Sequence, residues 1–451
     1  MRSLAINKFL GALALAAGLV AAPAAHAALP VQKFALPGGA QVWLVESPVL
    51  PMVDVQIDFD AGSRRDPVEQ TGLAAVTAAM MSKGLRAQGG QPALDENALS
   101  EAWADLGASF GGSAGTDRMS FGLRSLTYPD LLPRAVALAA RQLAEPAFPA
   151  DIWQRDRERM VASIKEADTR PGTIAGRAFA QAVYGGHAYG REATEATLAR
   201  IAVADMQALH ARLLAPCRAK VSIVGAVTRA QAETLVTQLL SRLPAGAQGC
   251  APLPAVDEVP ALTQASEQSI PFESAQAHVY IGQPGFRRMD PDYFPLIVGN
   301  YILGGGGFVS RLSNEVREKR GLSYSVYSYF SPGLHAGAFT VGLQTRPDQA
   351  AQAVKVAQDV LQAFVAEGPT DAELKAAKDN LIGGFALRID TNRKLLDNVA
   401  GIAWNDLPLN YLDTWTREVD KVTVADIRAA FARKLQPQRM ATVVVGAAQR
   451  P

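Results

Sequence analysis

The sequence predicts an α+β protein of two homologous halves, each a layer of helices packed on a mainly antiparallel sheet. Three observations lead there. Two landmarks recur in the same order and at nearly equal spacing. Strand-like and helix-like segments come in blocks, not in strict β-α alternation. A stretch rich in proline and small residues separates the two sets.

The first landmark is VDVQIDFDAGSRRDPVEQ (53–70): a strand, a loop with Arg-Arg-Asp-Pro and a helix start. AHVYIGQPGFRRMDPDYF (277–294) keeps that plan with Arg-Arg-Met-Asp-Pro. The second is LHARLLAPCRAKVSIVGAV (209–227), a helix end, a proline turn and a β-rich run, which IRAAFARKLQPQRMATVVVGAA (427–448) repeats. Pro67 and Gly225 stand 158 positions apart, Pro291 and Gly446 155. That agreement indicates a duplicated domain.

The elements follow in order. The chain opens with Arg2 and Lys8, then the apolar run FLGALALAAGLVAA and the small-x-small Ala25-His26-Ala27. This reads as an export signal over residues 1–27. The run is short of the roughly 20 residues a spanning helix needs, and no later segment is long and apolar enough, so the expected mature chain is periplasmic with no membrane span. GAQVWLVES (39–47) and DRMSFGLRSL (117–126) alternate as half-buried strands do. DIWQRDRERMVASIKEAD (151–168) and DAELKAAKDNLIGGFAL (371–387) carry apolar positions at helical spacing. CAPLPAVDEVPALTQASEQSIPF (250–272) lacks periodicity and reads as a linker. The expected domains are thus 28–250 and 273–451, with a linker over 251–272.

Composition excludes some classes. The net charge is +1 and no long like-charge run occurs, so nothing points to nucleic acid. Hydrophobic residues at 49% and charged residues at 19% suit a chain of 451 residues with sizeable cores. Cys217 and Cys250 remain after export, where a disulfide is permitted. Two readings stand: a bridge, or two separate buried thiols.

Candidates for chemistry are few. His187, His210, His278 and His335 stand alone, without the i, i+4 partner that places two metal ligands on one helix face. Packing roles are expected for them. Gly111-Gly112-Ser113-Ala114-Gly115 formally matches G-x-S-x-G, but a strand follows where a helix should, so a turn is expected and no nucleophile. Gly304, Gly305, Gly306 and Gly307 admit two readings: a helix stop, or a strip whose backbone lies close to a ligand. In REKRGLSY (317–324) a helix ends at Gly321 and a strand leaves it. Arg317 and Tyr324 can converge there, although Arg also suits a helix C-terminus and Tyr a strand.

Taken together, GSRRDPVEQTGLA (62–74), YGGHAYGRE (184–192), HVYIGQPGFRRMDPDYF (278–294) and ILGGGGFVSRLSNEVREKRGLSYSVYSYF (302–330) resemble the pitrilysin/insulinase family of zinc metallopeptidases, above all its two-domain bacterial members. The likeness runs over nearly the whole mature chain. The resemblance implies a zinc site, His-x-x-Glu-His, on the helix after Gly72-Leu73-Ala74. Ala75, Ala78 and Ala79 occupy its His, Glu and His positions here, and no such motif occurs elsewhere. The family's distal Glu ligand falls near Lys165, with Glu166 one step away. The resemblance further implies an Arg and a Tyr, seven positions apart, that reach the substrate from the C-terminal half. Arg317 and Tyr324 match them.

The expectation is therefore a zinc-free subunit of an exported heterodimeric peptidase. It would bind no cofactor itself. It would supply Arg317 and Tyr324 to a zinc-bearing partner and help hold an extended peptide along Gly304, Gly305, Gly306 and Gly307. The alternative is a peptide-binding or scaffold protein of the same fold with no part in peptidase activity.

Overall fold

The computed structural model describes residues 30–244 and 250–447, so the export signal expected over 1–27 lies outside the described residues. The strands of the first half are β1 (Gln32–Ala35), β2 (Gln41–Glu46), β3 (Met52–Phe59), β4 (Gly84–Leu85), β5 (Leu94–Asp95), β6 (Ser109–Ala114), β7 (Met119–Leu126) and β8 (Lys220–Gly225). Its helices are α1 (Leu73–Met80), α2 (Glu96–Asp105), α3 (Leu132–Ala144), α4 (Ala150–Ala167), α5 (Pro171–Tyr184), α6 (Glu195–Ala199), α7 (Val203–Leu213) and α8 (Arg229–Leu240). The second half has strands β9 (Ser266–Ile270), β10 (Ala277–Pro284), β11 (Ser323–Phe330), β12 (Ala338–Thr345) and β13 (Ala441–Val445). Its helices are α9 (Tyr293–Asn300), α10 (Ala350–Glu367), α11 (Asp371–Gly383), α12 (Asn392–Trp404), α13 (Tyr411–Lys421) and α14 (Val424–Lys434).

The expected α+β class holds, and the duplication is visible in topology. One sheet runs β1-β2-β8-β3-β7-β6 and the other β9-β13-β10-β12-β11. Counted from β2 and from β9, the two orders are equivalent, down to the parallel pairs β2–β8 and β9–β13 in otherwise antiparallel sheets. β9 lies within 251–272, so that segment ends in a strand and is not irregular throughout. Ser113 sits in edge strand β6 and not in a turn; the turn follows it, with the Gly115 N–H donating to the Arg118 carbonyl (2.9 Å).

One face of each sheet packs on helices of its own half. Val53, Val55, Ile57 and Phe59 of β3 are fully buried in the first core, and Val279, Ile281, Phe339 and Val341 anchor the second. The other face is covered by exchange. α5 of the first half lays Ala175, Phe179 and Val183 on Ala441, Val443 and Val445. α12 of the second half lays Leu395, Leu396, Val399 and Ile402 on Trp43, Val45 and Val224. Each fully buried side chain of this kind stabilises by roughly 1.5–3 kcal/mol relative to exposure, so the exchange welds the halves together. Gly282 permits it: a Cβ there would lie 2.8 Å from the Phe179 ring and 2.0 Å from the Phe339 carbonyl.

Polar contacts reinforce the junction. The carbonyls at the C-terminus of α12 receive the Lys220 ammonium (Ala403 O, 2.8 Å), a good place for a cation. Asp117 accepts the Tyr189 hydroxyl (2.7 Å) and the Leu334 N–H (3.0 Å), which ties YGGHAYGRE to the second half. Cys217 and Cys250 are bridged, with Cα atoms 6.0 Å apart. The bridge pins the start of the linker beside β8.

Candidate functional site

Helix α1 begins at Gly72, whose φ of +107° suits glycine. Asp66, from the Arg-Arg-Asp-Pro loop, accepts the N–H groups of Gly72 (2.9 Å) and Ala74 (3.0 Å) and so satisfies the helix start. Burial pushes its carboxyl up to about 6 against the lowering pull of those amides. Leu73, Val76 and Met80 face the core, and Ala78 is buried with them. Ala75 and Ala79 are exposed, one turn apart on the same face. Methyl groups carry no lone pair, so Ala75, Ala78 and Ala79 do not fit a metal ion. The nearby helix offers no substitute, because Lys165 pairs with Glu195 (2.9 Å) and Glu166 with Arg170.

The four histidines are structural. His187 bonds the Asp257 carbonyl (2.8 Å) and accepts the Tyr189 N–H (3.1 Å). His210 bonds the Leu143 carbonyl (2.8 Å), and burial lowers its pKa. His335 packs on the rings of His187 and Tyr189 at the junction of the halves. His278 stands against Gly172 of α5, where a Cβ would lie 3.2 Å from its ring.

The second half holds the candidate groove. α9 runs on as a π-helix over Tyr301–Gly305, and a second π-helix spans Ser313–Glu318. Such bulged turns concentrate at functional positions. The glycines between them have individual reasons. A Cβ on Gly304 would lie 2.5 Å from the Ser328 amide nitrogen, one on Gly305 2.8 Å from the Asn300 side chain, and one on Gly306 2.7 Å from the Tyr301 carbonyl. Gly307 has φ +65°. The strip is therefore both a helix stop and a surface pressed on the edge of β11. There Asn300 donates to the Ser328 carbonyl (3.1 Å) and accepts the Ser328 hydroxyl (2.7 Å).

A groove of about 600 Å³ runs along this edge. Gly304, Gly305, Gly307, Phe308, Arg317 and Tyr324 line it, with β11 as floor. Gly306 does not. A neighbouring depression of about 510 Å³ also has Arg317 and Tyr324 at its border, so the two side chains stand between them.

Tyr324 is placed by a β-bulge, because register against β12 shifts between Ser323 and Ser325. The Ser323 hydroxyl, 2.6 Å from the Gln344 carbonyl, accepts the Ser325 N–H (3.1 Å) and fixes the kink. The bulge turns Tyr324 outward, and it is 89% exposed. Its hydroxyl engages no protein group among the described residues. Arg317 is similar. On the same helical segment Lys319 and Arg320 both pair with Glu315 (2.6 and 2.7 Å), and Arg311 grips Glu373 with two bonds of 2.7 Å, holding that carboxyl down to about 2. Arg317 has only its neighbour Glu318, at 3.5 Å, and no protein hydrogen bond among the described residues. A basic side chain serving only the helix end would resemble Arg320. Arg317 and Tyr324 thus present unused donors to one groove.

Sequence reasoning missed Phe308, Asn300 and Ser323. Phe308 follows the glycines directly, the one signal in the sequence that could have found it, and in the structure it is 72% exposed.

Comparison with known proteins agrees in both halves. Residues 41–197 match the model of the insulinase family of peptidases, M16, and residues 200–381 match that of the M16 peptidase inactive domain. A crystal structure of an M16 peptidase inactive domain from Pseudomonas fluorescens is 34% identical, covering 94% of this chain and all of its own, at a TM-score of 0.86. An uncharacterized zinc protease of Mycobacterium bovis is 28% identical over 93% of this chain and 94% of its own length. A non-peptidase homolog, YmxG, of Helicobacter pylori is 25% identical over 85% and 86%.

Proposed function

The chain belongs to the insulinase family of peptidases, M16, and from that premise we propose that it is the zinc-free subunit of an exported two-subunit peptidase. Its relatives include inactive-type domains and a non-peptidase homolog. The observation that carries the proposal is one pairing within one chain. The helix that would hold metal carries only methyl groups at Ala75, Ala78 and Ala79, while Arg317 and Tyr324 stand with donors unused in a groove. A structural protein has no need to leave an arginine with one long contact, to Glu318 at 3.5 Å, beside three basic neighbours paired at 2.6–2.7 Å.

In this reading the partner, a relative carrying His-x-x-Glu-His, supplies zinc and the attacking group. This chain supplies the groove and two donors. An extended peptide lies along Gly304, Gly305 and Gly307, where the absence of side chains lets backbones approach. As the peptide carbonyl is attacked, negative charge gathers on its oxygen. The Tyr324 hydroxyl donates to that oxygen. The Arg317 guanidinium, planar and always charged, holds a neighbouring carbonyl or steadies the tyrosine. The chemistry takes place in the periplasm, to which the apolar leader directs the chain. Among the described residues no helix is long and apolar enough to cross a membrane.

The test is co-purification. The chain, tagged and drawn from its native cell envelope, is expected to bring down a homologous subunit bearing His-x-x-Glu-His. Recovery of the chain alone or as a self-dimer that binds peptides would favour the scaffold reading.

A further inference from the structure

Arg317 makes no protein hydrogen bond among the described residues, only a long contact with its neighbour Glu318 (3.5 Å), yet it is only about a third exposed. What holds it is a ring. The guanidinium carbon lies 4.3 Å from the centroid of Phe308, within the range of cation–π attraction. The ring is otherwise bare. At 72% exposed, next to Val309 at 78%, Phe308 is an uneconomical place for a large apolar side chain unless something uses it. Gly307, at φ +65°, makes the turn that delivers it, and the Ser310 hydroxyl donates to the Gly307 carbonyl (2.7 Å) to hold the turn.

We infer that Phe308 is a positioning residue for Arg317: its ring fixes one face of the guanidinium so that the N–H edge is aimed into the groove. A stacked guanidinium keeps all five of its N–H donors in the plane, available to a carbonyl or carboxylate. A carboxylate partner would fix the arginine equally well but would occupy those donors, as Glu373 does for Arg311. The ring fixes it and leaves them open. This inference rests on the proposed role of Arg317, and its test separates the two.

The substitutions are Phe308→Leu, which keeps apolar bulk but removes the π face, and Phe308→Tyr, which keeps both. The first readout is the Arg317 Nε–H order parameter by NMR in the full chain alone. Wild type and Phe308→Tyr are expected near the rigid range, about 0.85, and Phe308→Leu below about 0.6. The second is kinetics of the chain assembled with its zinc-motif partner on a fluorogenic peptide. Phe308→Leu is expected to lower kcat/KM by about 2- to 30-fold, the equivalent of one cation–π contact, and Phe308→Tyr to restore it. An Arg317 order parameter unchanged in Phe308→Leu overturns the inference. So does a Phe308→Leu assembly as active as wild type when Arg317→Ala is impaired. If Arg317→Ala is itself without effect, the proposed function fails, while the NMR result still decides whether the ring holds the guanidinium.

Discussion

Replacing Phe179 by alanine tests whether the two halves form one cooperative unit. Phe179 belongs to α5 of the first half but lies on the second sheet, 7% exposed. Its ring centroid is 5.5 Å from that of Tyr280, and its tip fills the space that Gly282 leaves open. Beside the aliphatic side chains of its cluster, the Gly282 backbone and the Tyr280 ring bound the gap, and that part of the wall cannot collapse into it. The full cost of a Phe→Ala change, about 3–5 kcal/mol, is therefore expected. With an unfolding entropy of about 2.1 cal/mol/K per residue, a chain of this size loses roughly 1 °C per kcal/mol, so Tm should fall by about 3–5 °C. Differential scanning calorimetry reads this directly. Because each sheet is covered by a helix from the other half, wild type and variant should each melt in a single transition. Two resolved transitions in wild type, with Phe179→Ala lowering only one of them, would refute the exchange as the source of cohesion.

Other consequences follow from single contacts. The Asp66 carboxyl, raised to about 6, binds its proton more tightly folded than unfolded. Its stabilising contribution is therefore full below about pH 4 and lost as pH rises through about 6, a change of up to about 3 kcal/mol; Asp66→Asn should flatten that part of the stability–pH curve, and an unaltered curve would exclude Asp66 as its source. Thiol titration of unreduced, denatured protein should find no free thiol, and the Cys217→Ser/Cys250→Ser double variant should lose about 3–4 kcal/mol in a denaturant melt, given the separation of 33 residues. Gly304→Ala drives a methyl into the Ser328 backbone. It should cost about 1–3 kcal/mol and weaken peptide binding in the groove, whereas Gly401→Ala, inside helix α12 with open space around it, should leave binding unchanged and raise stability by about 0.5–1 kcal/mol.

Much of this was legible in the chain. The duplication showed in Arg-Arg-Asp-Pro and in the two β-rich runs, because a repeated fold needs the same loop and strand at the same places. The convergence of Arg317 and Tyr324 on one groove showed in REKRGLSY, since the two are close in sequence. What was hidden depends on contacts distant in sequence. The apolar stripes of α5 and α12 announce that each helix packs on something, but a stripe carries no address, so the exchange between halves could not be read. The bulge at Ser323 looks in sequence like ordinary alternation. The role of Gly304 depends on Ser328, which lies on another element. Ser113 was expected in a turn because a strand follows it where a helix should, but Ser113 itself pairs in β6 against β7 despite the low strand propensity of its glycine neighbours, and the turn comes after it.

The most direct measurement is turnover of a peptide by this chain assembled with its His-x-x-Glu-His partner, with Tyr324→Phe as the only change. The ring and its packing remain, and one donor is lost. The account predicts a fall in kcat of about 10²–10³ with KM little altered, as expected when a donor acts only on the transition state. A partner that hydrolyses the peptide fully by itself, indifferent to this chain and to Tyr324→Phe alike, would contradict it.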